Sequence, residues 1–133
     1  MLPFEFTIKG PPVSLQSRKR ARLQAWKTDV RNAATKVAKN PPTNDEVAIT
    51  ITYYYDGDTP DVDNIIKPIQ DALIGVVYAD DNQVVDTRSR KSRIDGSFTI
   101  RGASALLLSA FADGDAFLHV TVTKPSNHSN LAS

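Results

Sequence analysis

The sequence predicts a single small α+β domain in which a mixed β-sheet packs against two main helices. Period-two patterning marks the strands, and apolar residues at three- and four-residue steps mark the helices. Strands and helices do not alternate strictly, which favours α+β over a doubly wound sheet. A length of 133 residues with 41% hydrophobic residues suffices for one core. We therefore expect one domain over residues 1–123 and a flexible tail over 124–133.

The first half of the chain predicts a strand, a long helix and a second strand. Residues 4–8 alternate apolar with polar side chains, and this strand ends at Gly10. The helix extends from Arg18 to about Lys39. Residues 46–55 are rich in Val, Ile, Thr and Tyr and predict the second strand. The apolar stripe of the helix comprises Leu23, Trp26, Val30, Ala33, Ala34 and Val37.

The second half predicts a short helix, two strands and a segment without a clear period. Pro68 fits the short helix only within its first turn or two, and Gly75 is expected to break it near its end. Residues 83–91 and 117–123 predict strands, whereas residues 104–111 have helical composition but no clean period. The apolar face of the short helix comprises Ile65, Ile69, Ala72, Leu73 and Val76.

Composition excludes several classes of function. Without cysteine the chain has no disulfides, thiol nucleophile or thiolate zinc site, and two histidines leave little scope for a histidine-built metal site. No apolar stretch approaches the roughly 20 residues that span a bilayer, and the start shows no secretory signal. We expect a cytoplasmic protein without a membrane segment. The net charge of +1 indicates no polyanion partner by itself.

The charges are nevertheless segregated along the chain. Eight of the 15 acidic residues lie between residues 56 and 86, where Lys67 is the only base. Basic flanks around an acidic, metal-loaded centre suit a nuclease, although each charge run taken alone also fits a solvated surface. The candidate DNA-binding residues in the basic flanks are Arg18, Lys19, Arg20, Arg22, Lys27, Arg88, Arg90, Lys91 and Arg93.

Cations at the start of the first helix are a separate indication. Arg18, Lys19 and Arg20 are expected in its first turn, where the helix dipole disfavours cations but backbone N–H groups bind anions. Such a position predicts a phosphate site better than it predicts a stabilising charge.

The acidic centre offers oxygen ligands of the kind that a hard divalent cation prefers. Asp61 and Asp63 are two residues apart and project to the same side of an extended chain. If the short helix starts at Asp63, then Lys67 and Asp71 lie on its face, and Asp81 closes the site. A helix cap at Asp63, an exposed ion pair at Lys67 and an ordinary turn at Asp81 are the alternatives. Spacing alone leaves a metal site and an acidic surface loop equally open.

This acidic region resembles the RusA family of Holliday junction resolvases. The specific part covers residues 46–92, and weaker likeness extends to Gly10-Pro11-Pro12, to Trp26-Lys27 and to the closing strand. Residues 94–115 depart from the shorter members as an apparent insertion. The resemblance rests on three blocks, Asp61-x-Asp63-Asn64-x-x-Lys67, Asp71-Ala72-Leu73 and Asp80-Asp81-x-Gln83-Val84.

The resemblance implies a homodimeric, magnesium-dependent endonuclease, with Mn²⁺ as an alternative cation, that cuts four-way DNA junctions by paired nicks. It assigns metal binding and catalysis to Asp61, Asp63 and Asp81, and an essential catalytic role to Lys67. Asp80 and Asn64 are expected to play supporting roles. Two other readings stay open at this point: a less selective metal-dependent nuclease, and a non-catalytic nucleic-acid-binding module with a structural cation.

Overall fold

The computed structural model describes residues 2–13, 19–55, 62–94 and 104–125, with the backbone alone described at 62 and 63. Short 3₁₀ turns at Val62–Ile65 and Asp81–Gln83 precede α2 and β3. The predicted α+β class is confirmed, with a third helix added to the two expected. The elements are β1 (Phe4–Lys9), α1 (Arg20–Val37), β2 (Val47–Tyr55), α2 (Ile66–Leu73), β3 (Val84–Arg93), α3 (Ala105–Asp113) and β4 (Phe117–Thr123).

The described strands form one mixed sheet in the order β1-β4-β2-β3. The strand that comes last in the sequence, β4, lies inside the sheet and pairs antiparallel with β1 and β2. The strands β2 and β3 are parallel, so the chain between them crosses over through α2. This crossover places α2 and the turn before β3 beside each other.

The core lies between one face of the sheet and the two helices α1 and α2. The strands contribute alternate side chains to this face, as their period-two patterning predicts. Most of the predicted apolar face of α2 and the middle of the predicted apolar stripe of α1 point into the core. At the ends of the α1 stripe Leu23 is only partly buried and Val37 is exposed, and Val76 beyond α2 is partly buried. The buried side chains include Phe6, Ile49, Ile51, Val120 and Val122 from the strands, Trp26, Val30 and Ala34 from α1, and Ile69, Ala72 and Leu73 from α2.

The start of α2 differs from the expected start at Asp63. The chain forms a 3₁₀ turn over Val62–Ile65, and the α-helix begins at Ile66. Pro68 explains the shift, because proline has no N–H to donate and its ring clashes with the carbonyl four residues earlier in a regular helix. At the third helical position, within the first turn, Pro68 is tolerated as predicted. The helix ends before Gly75, whose φ of 83° favours glycine.

The start of α1 also corrects a prediction. The helix begins at Arg20, and Lys19 stands at the N-cap position in extended conformation, outside the first turn. Lys19 has no acceptor to offer the free N–H groups of the first turn, and no side-chain cap forms there. Arg18 lies outside the described residues.

Part of the apparent insertion folds as helix α3. The hydroxyl of Ser104 accepts a hydrogen bond from the Leu107 N–H at 3.1 Å, and Gly114 closes the helix with a φ of 78°. Phe111 packs on Tyr54 and Phe117 with ring centroids 4.7 and 5.2 Å away. None of the described helices combines the length and apolar character that crossing a membrane requires.

Candidate active site

The charged cluster of α2 lies on the side of the helix that faces away from the core. Ile69 and Leu73 are fully buried, whereas Lys67 and Asp71, four residues apart, lie on the opposite face. The sequence predicted this division between an apolar face and a charged face. It brings both charged side chains to the surface between α1 and the turn that leads into β3.

Lys67 bridges two carboxylates. Its Nζ lies 3.0 Å from Asp71 Oδ1 and 3.2 Å from Asp81 Oδ2. The hydrogen bond to Asp71, followed by that to Asp81, raises the pKa of Lys67 above 10.5, so the ammonium is charged at neutral pH. The side chains of Lys67 and Asp81 are both 47% exposed, which leaves room for a ligand beside them. The structure thus brings together two of the four predicted catalytic residues.

In the turn before β3 the side chains of Asp80 and Asp81 make different contacts. The carboxylate of Asp80 accepts a hydrogen bond from the Asn82 N–H at 3.3 Å and caps the 3₁₀ turn. The carboxylate of Asp81 accepts the hydrogen bond from Lys67 and also contacts Asp80. The hydrogen bond with Asp80, followed by that with Lys67, lowers the pKa of Asp81, which is therefore ionised at neutral pH.

Gln83 anchors this turn to the rest of the domain. Its side-chain oxygen accepts from the Asp80 N–H at 2.9 Å, completing a capping box. Its side-chain nitrogen donates to the carbonyls of Thr43 and Asp45 at 2.9 and 2.8 Å. These bonds fix the backbone on which Asp81 stands.

The side chains of the two remaining predicted metal ligands, Asp61 and Asp63, are not among those that the structure describes. Asp61 lies outside the described residues, and Asp63 belongs to the 3₁₀ turn with only its backbone described. Within the described part of the chain, no three acidic or histidine side chains gather closely enough to hold a metal ion. Asp81, an exposed and ionised carboxylate, nevertheless has the donor chemistry that fits a hard cation.

Lys27, which the sequence placed among the DNA-binding candidates, contacts an acidic side chain of α2 in the structure. Its Nζ lies 3.5 Å from Asp71 Oδ2, so Asp71 stands between Lys27 and Lys67. The sequence placed Asp71 on the charged face of the short helix but gave no indication of a catalytic or metal-binding role for it. The four-residue step from Lys67 was the available signal for that pair, but no local pattern indicated the contact with Lys27 on another helix.

The other predicted DNA-binding residues occupy two faces of the molecule. Thr87 accepts a hydrogen bond from Gln70 of α2 at 2.9 Å, so alternate residues from Thr87 onward lie on the face of the sheet that carries α1 and α2. Lys91 and Arg93 share that side and lie 6.0 and 5.6 Å from the ring centroid of Tyr55.

Arg88 and Arg90 point to the opposite face of the sheet, beside Thr50 and Thr52 in the β2 to β3 register. On the same face His119 pairs with Glu5 at 2.7 Å, away from the charged cluster. At the start of α1, Lys19, Arg20 and Arg22 are exposed. The predicted set therefore does not form one continuous surface.

Comparison with known proteins identifies the family of the chain. No curated protein matches it. A family model described as endodeoxyribonuclease RusA matches residues 9–97, a segment that contains Lys27, Lys67, Asp71 and Asp81. The match ends near the start of the apparent insertion. Members of that family are metal-dependent endodeoxyribonucleases that act on branched DNA. The chain belongs to the RusA endodeoxyribonuclease family.

Proposed function

We propose that the protein is a magnesium-dependent endonuclease that resolves four-way DNA junctions by paired, symmetric nicks. The observation that carries the proposal is the Lys67 ammonium, held 3.2 Å from the Asp81 carboxylate inside the segment that matches the family. An exposed cation beside an exposed, ionised carboxylate suits a phosphodiester, because the first attracts phosphate and the second attracts a metal ion.

In this proposal Asp61, Asp63 and Asp81 hold the cation. Magnesium, when bound, supplies charge stabilisation and lowers the pKa of a water. The contribution of Lys67 follows from its own chemistry. Its ammonium stays charged, lies half exposed, and adds positive charge at the scissile phosphate or at the leaving oxygen. Asp80 and Gln83 support the site by fixing the turn.

The basic residues serve the DNA backbone. Exposed cations at the start of α1 and on β3 attract phosphates without reading sequence. In the structure, Lys19, Arg20 and Arg22 are exposed at the start of α1, and Lys91 with Arg93 lie on the side of β3 that faces α1 and α2. Arg18 is assigned to the same backbone contacts. Arg88 and Arg90 face away from the cluster and have a smaller part in substrate binding.

The symmetry of the substrate supports a homodimer. A four-way junction yields ligatable duplexes only when two symmetric strands are cut together, so two copies of the site are needed on one junction. Such an enzyme acts where its DNA is, and we propose the cytoplasm. Sedimentation equilibrium across a concentration series tests the dimer, and a monomer at all concentrations would contradict it.

Cleavage of an end-labelled synthetic four-way junction tests the function. The wild type is compared with Lys67→Met and Asp81→Asn, with magnesium and then manganese, beside a linear duplex of matched sequence. We expect paired symmetric nicks on the junction alone, reduced at least about a hundredfold in both variants, because each loses a group that stabilises transition-state charge.

Other outcomes would replace the proposal. Equal cutting of the linear duplex would indicate a less selective nuclease. Tight junction binding without cutting under either metal would favour a non-catalytic binding module. Undiminished cutting by Lys67→Met would contradict the assigned site while leaving the family intact.

A further inference from the structure

Lys27 of α1 reaches the charged cluster without contacting Lys67 or Asp81 directly. We propose that Lys27 is a positioning residue, which acts through Asp71 to hold the Lys67 ammonium in place, and that it is not a contact to DNA. The inference rests on the proposed function of Lys67. It reassigns a residue that composition and charge had placed among the DNA contacts.

Each carboxylate oxygen of Asp71 contacts a different lysine. Its Oδ1 receives the Lys67 ammonium at 3.0 Å, and its Oδ2 lies 3.5 Å from the Lys27 ammonium. With a cation on each oxygen, the carboxylate plane has a preferred orientation from both sides. Rotation about its last side-chain bond would weaken one contact as it improved the other.

The exposed side chain of Lys67 needs support to keep its ammonium in one place. Lys67 has a long, flexible side chain that is 47% exposed, and ordering a lysine side chain costs rotamer entropy. Asp71 lies on the same short helix as Lys67, so by itself it does not fix the ammonium relative to the rest of the domain. Lys27 fixes Asp71 relative to the rest of the domain, because it lies on a different helix, α1.

Lys27 lies on a turn of α1 that is anchored to the core and to α2. Its neighbours Trp26 and Val30 are buried in the core, which fixes this turn of α1. One turn later, the Arg31 guanidinium donates a hydrogen bond to the Ile74 carbonyl at the end of α2, at 2.8 Å. Two side chains of α1 therefore hold α2 at adjacent turns, and the position of Asp71 is set by the core.

Exposure and charge distinguish Lys27 from the DNA contacts. Its side chain is 25% exposed and its ammonium already faces Asp71, whereas Arg20 and Arg22 are exposed. Asp71 also carries a charge that competes with phosphate for Lys67. Because Lys27 neutralises part of the charge of Asp71, Asp71 screens the positive charge of Lys67 less, and Lys67 attracts Asp81 and the substrate phosphate more strongly.

Single-turnover cleavage and equilibrium junction binding test the inference together. The variants are Lys27→Met, Lys27→Arg and the control Lys36→Met, which removes the same charge from an exposed position about 13 Å further along α1. We expect Lys27→Met to cut about tenfold more slowly at saturating enzyme, with junction affinity and its salt dependence unchanged within twofold. Lys27→Arg should recover most of the rate, and Lys36→Met should match the wild type.

A double-mutant cycle tests whether Lys27 acts through Asp71. In the Asp71→Asn background, Lys27→Met should add no further loss of rate, because the group that transmits its effect is gone. A full tenfold additional loss there would overturn the inference. Thermal unfolding of each variant verifies that the fold is retained.

The opposite pattern has a clear meaning. An unchanged cutting rate combined with weaker binding and a salt slope lower by about one would make Lys27 a phosphate contact. The failures of the two proposals are distinguishable. A wild type that does not cut the junction refutes the proposed function, whereas a Lys27→Met variant that cuts like an active wild type refutes only the positioning role.

Discussion

At the scale of single residues, Tyr78 connects the core with the charged cluster. The side chain is fully buried, and its hydroxyl donates a hydrogen bond to the Gln70 carbonyl of α2 at 2.6 Å. Burial, followed by the negative charges of Asp71 and Asp81, raises the pKa of the phenol well above 10.0. The neutral phenol is thus part of the folded structure.

Tyr78 therefore predicts a loss of stability in alkali. Because the folded-state pKa is raised, the stabilisation is complete below pH 10.0 and declines as the pH rises towards the folded-state value. The free energy of unfolding should fall faster above pH 10.0 in the wild type than in Tyr78→Phe. At neutral pH the variant should be less stable by about 1 kcal/mol for the lost hydrogen bond.

Urea denaturation of both proteins, from about pH 8 to about pH 11, measures this difference. The variant is its own control for the titration of other groups, since both proteins share them. Parallel curves over the whole range would show that Tyr78 ionises without cost to the fold.

At the scale of elements, the turn Asp81–Gln83 does more than connect α2 with β3. Its capping box engages Asp80 and Gln83, and Gln83 also binds the backbone near Thr43. The direction of the Asp81 side chain follows from these bonds. Two adjacent aspartates of the same sequence block thus differ in their contacts: Asp80 caps the turn, and Asp81 accepts the hydrogen bond from Lys67.

This difference predicts unequal effects of two equivalent substitutions. Asparagine caps a helical turn as well as aspartate does, so Asp80→Asn should keep the turn and cut junctions within a few fold of the wild-type rate. Asp81→Asn loses the ionised carboxylate and should lose at least about a hundredfold. Junction cleavage measures both, and equal inactivation would make Asp80 a direct participant in catalysis.

The capping role has a separate readout in stability. Asp80→Ala should lower the free energy of unfolding by about 1 kcal/mol, whereas Asp80→Asn should leave it nearly unchanged. Chemical denaturation distinguishes the two. Equal stability of both variants would contradict the capping role.

Local patterns explain which elements were predictable. The alternation in β2 follows from a sheet with one buried face, and the pairing of Lys67 with Asp71 follows from helical periodicity. The sequence allowed a helix start at Asp63, but the α-helix begins at Ile66, because Pro68 disfavours a regular α-helical turn before it. The contact of Lys27 with Asp71 depends on how α1 packs on α2, which no local pattern records.

At the scale of the whole molecule, the basic residues of β3 face in two directions. The pairing of β2 with β3 places Arg88 and Arg90 on one face of the sheet, and Lys91 and Arg93 on the face that carries α1 and α2. The sequence showed that the residues were basic, but their division depends on the strand register. The register of the two strands shifts between Val47 and Ala48, and beyond that point Thr50 and Thr52 lie beside Arg88 and Arg90.

Junction binding should therefore respond unequally to two double substitutions. Lys91→Ala with Arg93→Ala should weaken binding and lower the slope of log affinity against log salt by about two, close to 0.9 for each lost phosphate contact. Arg88→Ala with Arg90→Ala removes the same charge and serves as the matched control with a much smaller effect. Binding titrations over a series of salt concentrations measure both, and the reverse order would place DNA on the other face.

The interior position of β4 has a consequence for how the protein is made. Residues 117–123 lie between β1 and β2, and those two strands have no pairing with each other within the described sheet. During translation, the ribosome releases the charged residues of α2 and β3 well before it releases β4. The sheet that supports them cannot close until then, because its central strand is missing. The nuclease should thus become active only after β4 has been released and has paired with β1 and β2.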